Sequence, residues 1–317
     1  MLFNTLNIYI TAIIVIIIIF YYHYLSFNPL KIEKMENLGS DLVGSNPHGK
    51  GENSPFLRTK IWENVLAKYG LLQAEAIFPK TYVLPKDTTL FLNEEKSYKE
   101  YIAKTLYSGG RVGVFLYEPS MKKNLYDFAV IQEYISNPLL INGFKFDTRL
   151  FMVVDCKKGA FLYKPGYNVY TAKRFKYKSK DRECKINQAY AGDDHYDNYN
   201  LPRTTNELFM YHVPYDQIIY DIAMKLRKII LATPTDICPM KTSIYGVDIE
   251  ILNDFDSKII EINSKPSTRF KDIPWKNELT RALRDEMGSY NSCNWIQIAE
   301  PCLLTKSVRQ KQQRNNT

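Results

Sequence analysis

Histidine and cysteine are scarce in this chain of 317 residues, with four of the first and five of the second. Cys156, Cys184, Cys238, Cys293 and Cys302 form no CxxC pair and are odd in number, so neither a zinc site nor a full disulfide framework is suggested, and a reducing compartment fits best. The glycine-rich stretch Ser108-Gly109-Gly110-Arg111-Val112-Gly113 is not followed by Gly-Lys-Ser/Thr, which excludes a Walker loop. No internal repeat is present, so a solenoid or propeller is not expected.

What is present is a large apolar content, 45%, and a net charge of +8. At this length one large domain or two interlocked ones can bury a sizeable core. The basic balance suits an acidic partner such as nucleic acid, an anionic membrane surface or an acidic protein tail. Ile8 to Leu25 carry no formal charge, and no Lys or Arg precedes them, whereas Lys31 and Lys34 follow. This pattern predicts an uncleaved single-pass transmembrane anchor over residues 1–28 with the body of the protein in the cytosol. A breaker-rich linker is expected over 29–57, a folded domain over 58–292 and a basic tail over 293–317. Helical spacing of apolar residues predicts helices over 60–69, 218–231 and 276–287. The charged, tyrosine-rich stretch from Lys173 to Arg203 is expected to be a long surface loop.

Three constellations could carry chemistry. Tyr245 to Ser267 alternates apolar and acidic residues with period two on either side of a turn, which predicts a β-hairpin with an acidic face. An odd-sum register would place Asp248 opposite Glu261 or Asn263, giving three oxygen ligands suited to Mg²⁺ bridging phosphates; an ordinary solvated face has the same pattern. Lys145, Asp147 and Arg149 alternate in a second strand, so they share one face in a cation-anion-cation row that suits polyphosphate or a structural ion pair. Lys104, ahead of Gly110 and Gly113, could reach phosphates lying on backbone N–H groups, although a tight hairpin would use the same glycines.

In order and approximate spacing these elements resemble the tubulin-tyrosine-ligase-like family, as does Phe78-Pro79-Lys80-Thr81-Tyr82-Val83-Leu84-Pro85 upstream, and the resemblance runs from roughly Thr59 to Asp285. Its most specific parts are Gln132-Glu133-Tyr134-Ile135-Ser136-Asn137-Pro138 with Lys145-Phe146-Asp147-Thr148-Arg149, and Gly246-Val247-Asp248 with Glu261-Ile262-Asn263-Ser264-Lys265-Pro266-Ser267. The resemblance implies an α+β ATP-grasp fold of two lobes clasping ATP. It implies nucleotide binding by Lys104, Gly110, Gly113, Gln132, Tyr134, Ile135, Lys145 and Asp248, and Mg²⁺ binding by Asp248, Glu261 and Asn263. Arg149, Lys145 and Asp147 would serve the chemistry, which in the family joins a free amino acid to a protein carboxylate through an acyl phosphate. An acidic protein tail, tubulin-like or other, is the implied acceptor, and nucleic acid is not an expected partner.

The chain departs from the family in two places. Tyr163-Lys164-Pro165-Gly166 followed by Val169 stands where the family carries Tyr-x-Glu-Gly and then arginine, and Lys185-Ile186-Asn187 stands for His-x-Thr-Asn. Glu250 falls where the family more often has an apolar residue. Two other readings therefore stay open, a non-catalytic ATP-binding scaffold of the same fold and a basic polyanion-binding membrane protein.

Overall fold

The computed structural model describes residues 56–106, 113–187, 192–233, 237, 242–270 and 273–304. The chain divides into two units at Gly49, and all described residues belong to the second. Its elements are α1 (Arg58–Tyr69), α2 (Leu71–Ile77), β1 (Thr81–Val83), α3 (Thr88–Glu94), β2 (Tyr101–Lys104), β3 (Val114–Leu116), β4 (Val130–Glu133), β5 (Leu140–Ile141), β6 (Phe144–Asp155) and β7 (Gly159–Tyr170). They continue as α4 (Asp193–Asn198), α5 (Tyr215–Ala232), β8 (Ser243–Ile251), β9 (Ser257–Asn263), α6 (Pro274–Glu286) and β10 (Trp295–Ala299).

The strands form a four-stranded sheet in the order β1-β4-β2-β3 and a larger sheet in the order β10-β7-β6-β8-β9, with β5 beside β6. All pairings between these strands are antiparallel. The class is thus mixed α+β, as expected. Helix α5 lays Ile218, Ile219, Ile222, Ala223, Leu226, Ile229 and Ile230 into the main core, the stripe expected from sequence. It packs against α1, β9 and β10. Gly70, with φ +79°, ends α1 at the expected residue. Opposite β6, the β7 pairing slips at Lys164-Pro165-Gly166, where proline removes a ladder donor. A Cβ on Gly166 would stand 2.5 Å from the Arg149 carbonyl oxygen, so only glycine fits there.

The stretch expected to be a long surface loop is largely exposed, and single buried residues pin it to the body. Tyr196 is buried against Tyr170 and Trp275, and Lys185 and Asn187 are buried as well. Tyrosines anchor it singly, which leaves no apolar periodicity to read. Cys156 is disulfide-bonded while Cys184 and Cys293 are free, so the odd cysteine count did not exclude a bridge.

The single-pass membrane expectation is corrected. Among the described residues no helix is long and apolar enough to cross a bilayer. The longest described helix, α5, carries Asp216, Asp221, Lys225, Arg227 and Lys228, charges that a spanning helix rarely tolerates. Ile8 to Leu25, the run on which the expectation rested, lies outside the described residues, as does the linker up to residue 55.

Truncating Ile222, fully buried under α5, to Ala should destabilise the fold by about 2–5 kcal/mol. Tyr220→Ala on the exposed side of the same helix should stay within about 0.5 kcal/mol. Urea unfolding followed by circular dichroism measures both, and equal effects would refute the assigned buried face.

Candidate nucleotide and acidic site

Next to the turn β8 and β9 pair in an even-sum register, with Ile251 opposite Ser257 and Ile249 opposite Ile259, and only beyond a slip does the expected odd-sum pairing place Asp248 opposite Glu261 and Gly246 opposite Asn263. Between Asp248 and Ile249 the ladder slips by one residue, so Ile260 is the extra residue of a bulge. The bulge allows neighbours Ile260 and Glu261 both to be half-exposed instead of alternating. Asn263 donates from Nδ2 to Asp248 Oδ2 at 3.1 Å, so two of the three expected ligands touch and the third, Glu261, stands opposite Asp248 in the ladder. Two carboxylates and an amide oxygen are hard ligands, so this donor set fits Mg²⁺.

Strand β6 lies on the other side of β8 with Arg149 opposite Asp248. The guanidinium grips that carboxylate through both Nε and Nη2, the latter at 2.7 Å. Gly246 makes room for it, since a Cβ there would come within 3.1 Å of Arg149 Nη1 and 2.9 Å of Pro266 Cβ. Glu261 is held by Arg58, at the start of α1, which also donates to the Thr105 carbonyl at 2.9 Å. Arg58 was not singled out from sequence. Its contact spans 203 positions, and no local pattern could signal it.

Lys104, Gln132, Tyr134, Ile135, Lys145 and Asp147 line one open cleft together with Glu250 and Asn187. Lys104 donates to Gln132 Oε1, and Gln132 donates onward to Thr81 Oγ1 at 2.8 Å, a buried chain linking three strands of the small sheet. Burial, aided by Arg58, lowers the Lys104 pKa to about 8. Burial also opposes the charge of Lys145, but Asp147 at 3.4 Å and Glu250 at 2.9 Å outweigh it and raise that pKa. Glu250 moves above the usual carboxylate range, chiefly through burial. Lys145, Asp147 and Arg149 share one face of β6 as their spacing requires.

The far wall comes from the pinned stretch. Lys185 pairs with Glu100 at 2.8 Å and sits over the Tyr134 ring at 4.6 Å, and the Tyr134 hydroxyl donates to the Lys185 carbonyl at 3.0 Å. Asn187 is 2% exposed, and neither its Nδ2 nor its Oδ1 has a hydrogen-bond partner. Among the glycines, Gly113 turns with φ +81° and its carbonyl accepts from Thr105 N at 2.9 Å; Gly110 lies outside the described residues. Val169 stands opposite Asp147 in the β6–β7 ladder. Arg174 is engaged by the Asn142 carbonyl at 2.9 Å, and Lys173 by Asp181 and Glu183. His195 packs on Phe144 and Tyr199 as a core histidine would.

The match to Tubulin polyglutamylase TTLL5 of Mus musculus is 32% identical over 108 residues, 33% of this chain and 8% of that protein. Tubulin polyglutamylase TTLL13 of Homo sapiens is 28% identical over 144 residues, 43% of this chain and 18% of its own length. Tubulin polyglutamylase TTLL7 of Mus musculus is 31% identical over 96 residues, 28% of this chain and 10% of that protein. These matches therefore cover less than a fifth of any of the three relatives. The profile of the tubulin-tyrosine ligase family matches residues 51–286, most of the chain, and on that extent the protein belongs to the tubulin-tyrosine ligase family, within the ATP-grasp superfamily.

Proposed function

We propose that this protein is an ATP- and Mg²⁺-dependent ligase that joins an amino acid to a carboxylate of a protein. The observation that carries the reading is the convergence of Lys104, Lys145 and Arg149 with Asp248, Glu261 and Asn263 around the cleft and the strand face beside it. A carboxylate is a poor acylating agent, and phosphorylation to an acyl phosphate makes it one that an amine can attack. Gln132, Tyr134 and Ile135 receive the base, Lys104 and Lys145 bind phosphates, and Arg149 faces the transferring group. Asp147 holds the Lys145 ammonium in place. Asp248, Glu261 and Asn263 hold Mg²⁺, which when bound neutralises phosphate charge. The relatives' names make glutamate the first amino acid to test and tubulin the first acceptor. The net charge of +8 favours an acidic tail of any origin.

A second reading, a nucleotide-binding scaffold without turnover, is favoured by Val169, which leaves Asp147 facing an apolar neighbour where the family carries arginine. The two readings separate when the full chain is incubated with ATP, Mg²⁺, labelled amino acids and tubulin or acidic peptides. Incorporation with ADP release is expected, falling by about a hundredfold or more in Glu261→Gln. Tight ATP binding with no incorporation from any amino acid would sink the ligase and leave the scaffold.

The low Lys104 pKa gives the nucleotide site a pH signature. At about 8 its ammonium is largely intact below neutral pH and lost as pH rises, and only the ammonium attracts phosphate. Nucleotide affinity should therefore drop by about three- to tenfold between pH 7.5 and 9.5. Lys104→Arg, which stays charged, should flatten that drop. Calorimetric titration across the range checks it, and an equal drop in both proteins would remove Lys104 from the phosphate contact.

A further inference from the structure

Glu250 lines the cleft yet has no task in the reading above. Its side chain is buried at 4% exposure, Lys145 holds Oε2 at 2.9 Å, and Oε1 has no hydrogen-bond partner. A buried acceptor without a donor is costly, most of all on a carboxylate. The cations nearby are committed elsewhere, Lys104 to Gln132 and Lys185 to Glu100. The Tyr134 hydroxyl is spent on the Lys185 carbonyl. Ile102, Val114, Ile135 and Ile260 supply an apolar surround that suits a flat ring better than a phosphate. What Glu250 Oε1 lacks is one donor, since Lys145 is shared between Oε2 and Asp147.

We propose that Glu250 is a specificity-determining residue of the nucleotide site, its Oε1 accepting a hydrogen bond from the exocyclic 6-amino group of a purine, so that 6-aminopurine nucleotides are selected over 6-oxopurine ones. The inference rests on the cleft being the nucleotide site and adds the group that reads the base. A 6-oxo base would set its carbonyl oxygen against the carboxylate oxygen, leaving two acceptors facing each other unsatisfied. The Lys145 contact fixes the carboxylate from the other side, so Glu250 cannot turn away without leaving that ammonium unpaired.

The test is calorimetric binding of ATP, inosine triphosphate, guanosine triphosphate and purine riboside triphosphate, each with Mg²⁺, to the full chain. The unaltered protein should bind ATP about tenfold or more tightly than purine riboside triphosphate, which lacks the amine, and should bind both oxopurines more weakly still. Glu250→Gln keeps the volume but can turn its amide N–H₂ toward an oxo group. It should narrow the preference for ATP over inosine triphosphate by about fivefold or more. An unchanged preference in Glu250→Gln with ATP still bound would overturn the role of Glu250 and leave the nucleotide site standing. Absence of binding by any nucleotide to the unaltered protein would overturn both. Should the variant fail to fold, the unaltered protein alone decides: equal affinity for ATP and purine riboside triphosphate, or a preference for guanosine triphosphate, overturns the assignment.

Discussion

Asp248 and Glu261 face each other across adjacent strands, and like charges so placed repel unless cations flank them. In this structure the flanking cations are Arg149, which grips Asp248 from β6, and Arg58, which reaches Glu261 from α1. One guanidinium comes from within the large sheet and the other from the first turn of α1. Arg58 also donates to Thr105, just after β2, and so joins the acidic pair to the small sheet. Bidentate and multi-donor contacts, in the planar fork that lysine lacks, are why arginine suits both places.

The rest of the cleft follows from keeping that pair in register. Without the bulge at Ile260, Ile260 and Glu261 would fall on opposite faces, and either the apolar lining or the acid would be lost. Gly246 is constrained as well, because a Cβ there would stand 2.9 Å from Pro266 Cβ and crowd Arg149 Nη1 at 3.1 Å. The distribution of burial then sets the charge states. Lys104 and Lys145 are comparably buried, yet their pKa values move in opposite directions, since carboxylates touch Lys145 directly whereas Lys104 touches a neutral amide and feels Arg58.

Much of this was legible in the sequence, because its determinants are local. Period two alone puts Lys145, Asp147 and Arg149 on one face and predicts the Tyr245–Ser267 hairpin, and the helical stripe of α5 is equally plain. What could not be read depends on distant parts of the chain. Arg58 meets Glu261 only after two sheets have assembled, and the 173–203 stretch is held by isolated aromatic contacts such as Tyr196 on Tyr170. The membrane expectation rested on residues 8–25 and on Lys31 and Lys34 after them, all outside the described residues, and among the described residues no helix is long and apolar enough to cross a bilayer.

Glu250 shows how a departure from family pattern is to be weighed. A buried ion pair is a weak source of stability, because desolvating both ions offsets most of their attraction, and a well-packed apolar side chain commonly does as well. Lys145 already has Asp147 as a counter-charge, so neutralising the ammonium does not by itself demand a second carboxylate. Stability therefore gives little reason to place a glutamate in that wall, least of all one whose Oε1 is left without a donor. A solvated surface would leave the acid harmless, but at 4% exposure water does not relieve it. Burial relieves the acid in part by raising its pKa, and the ionised form is completed by a donor that enters the cleft. That reasoning separates Glu250 from Asp221 or Asp256, whose partly exposed carboxylates pair with Lys225 and need no ligand to account for them.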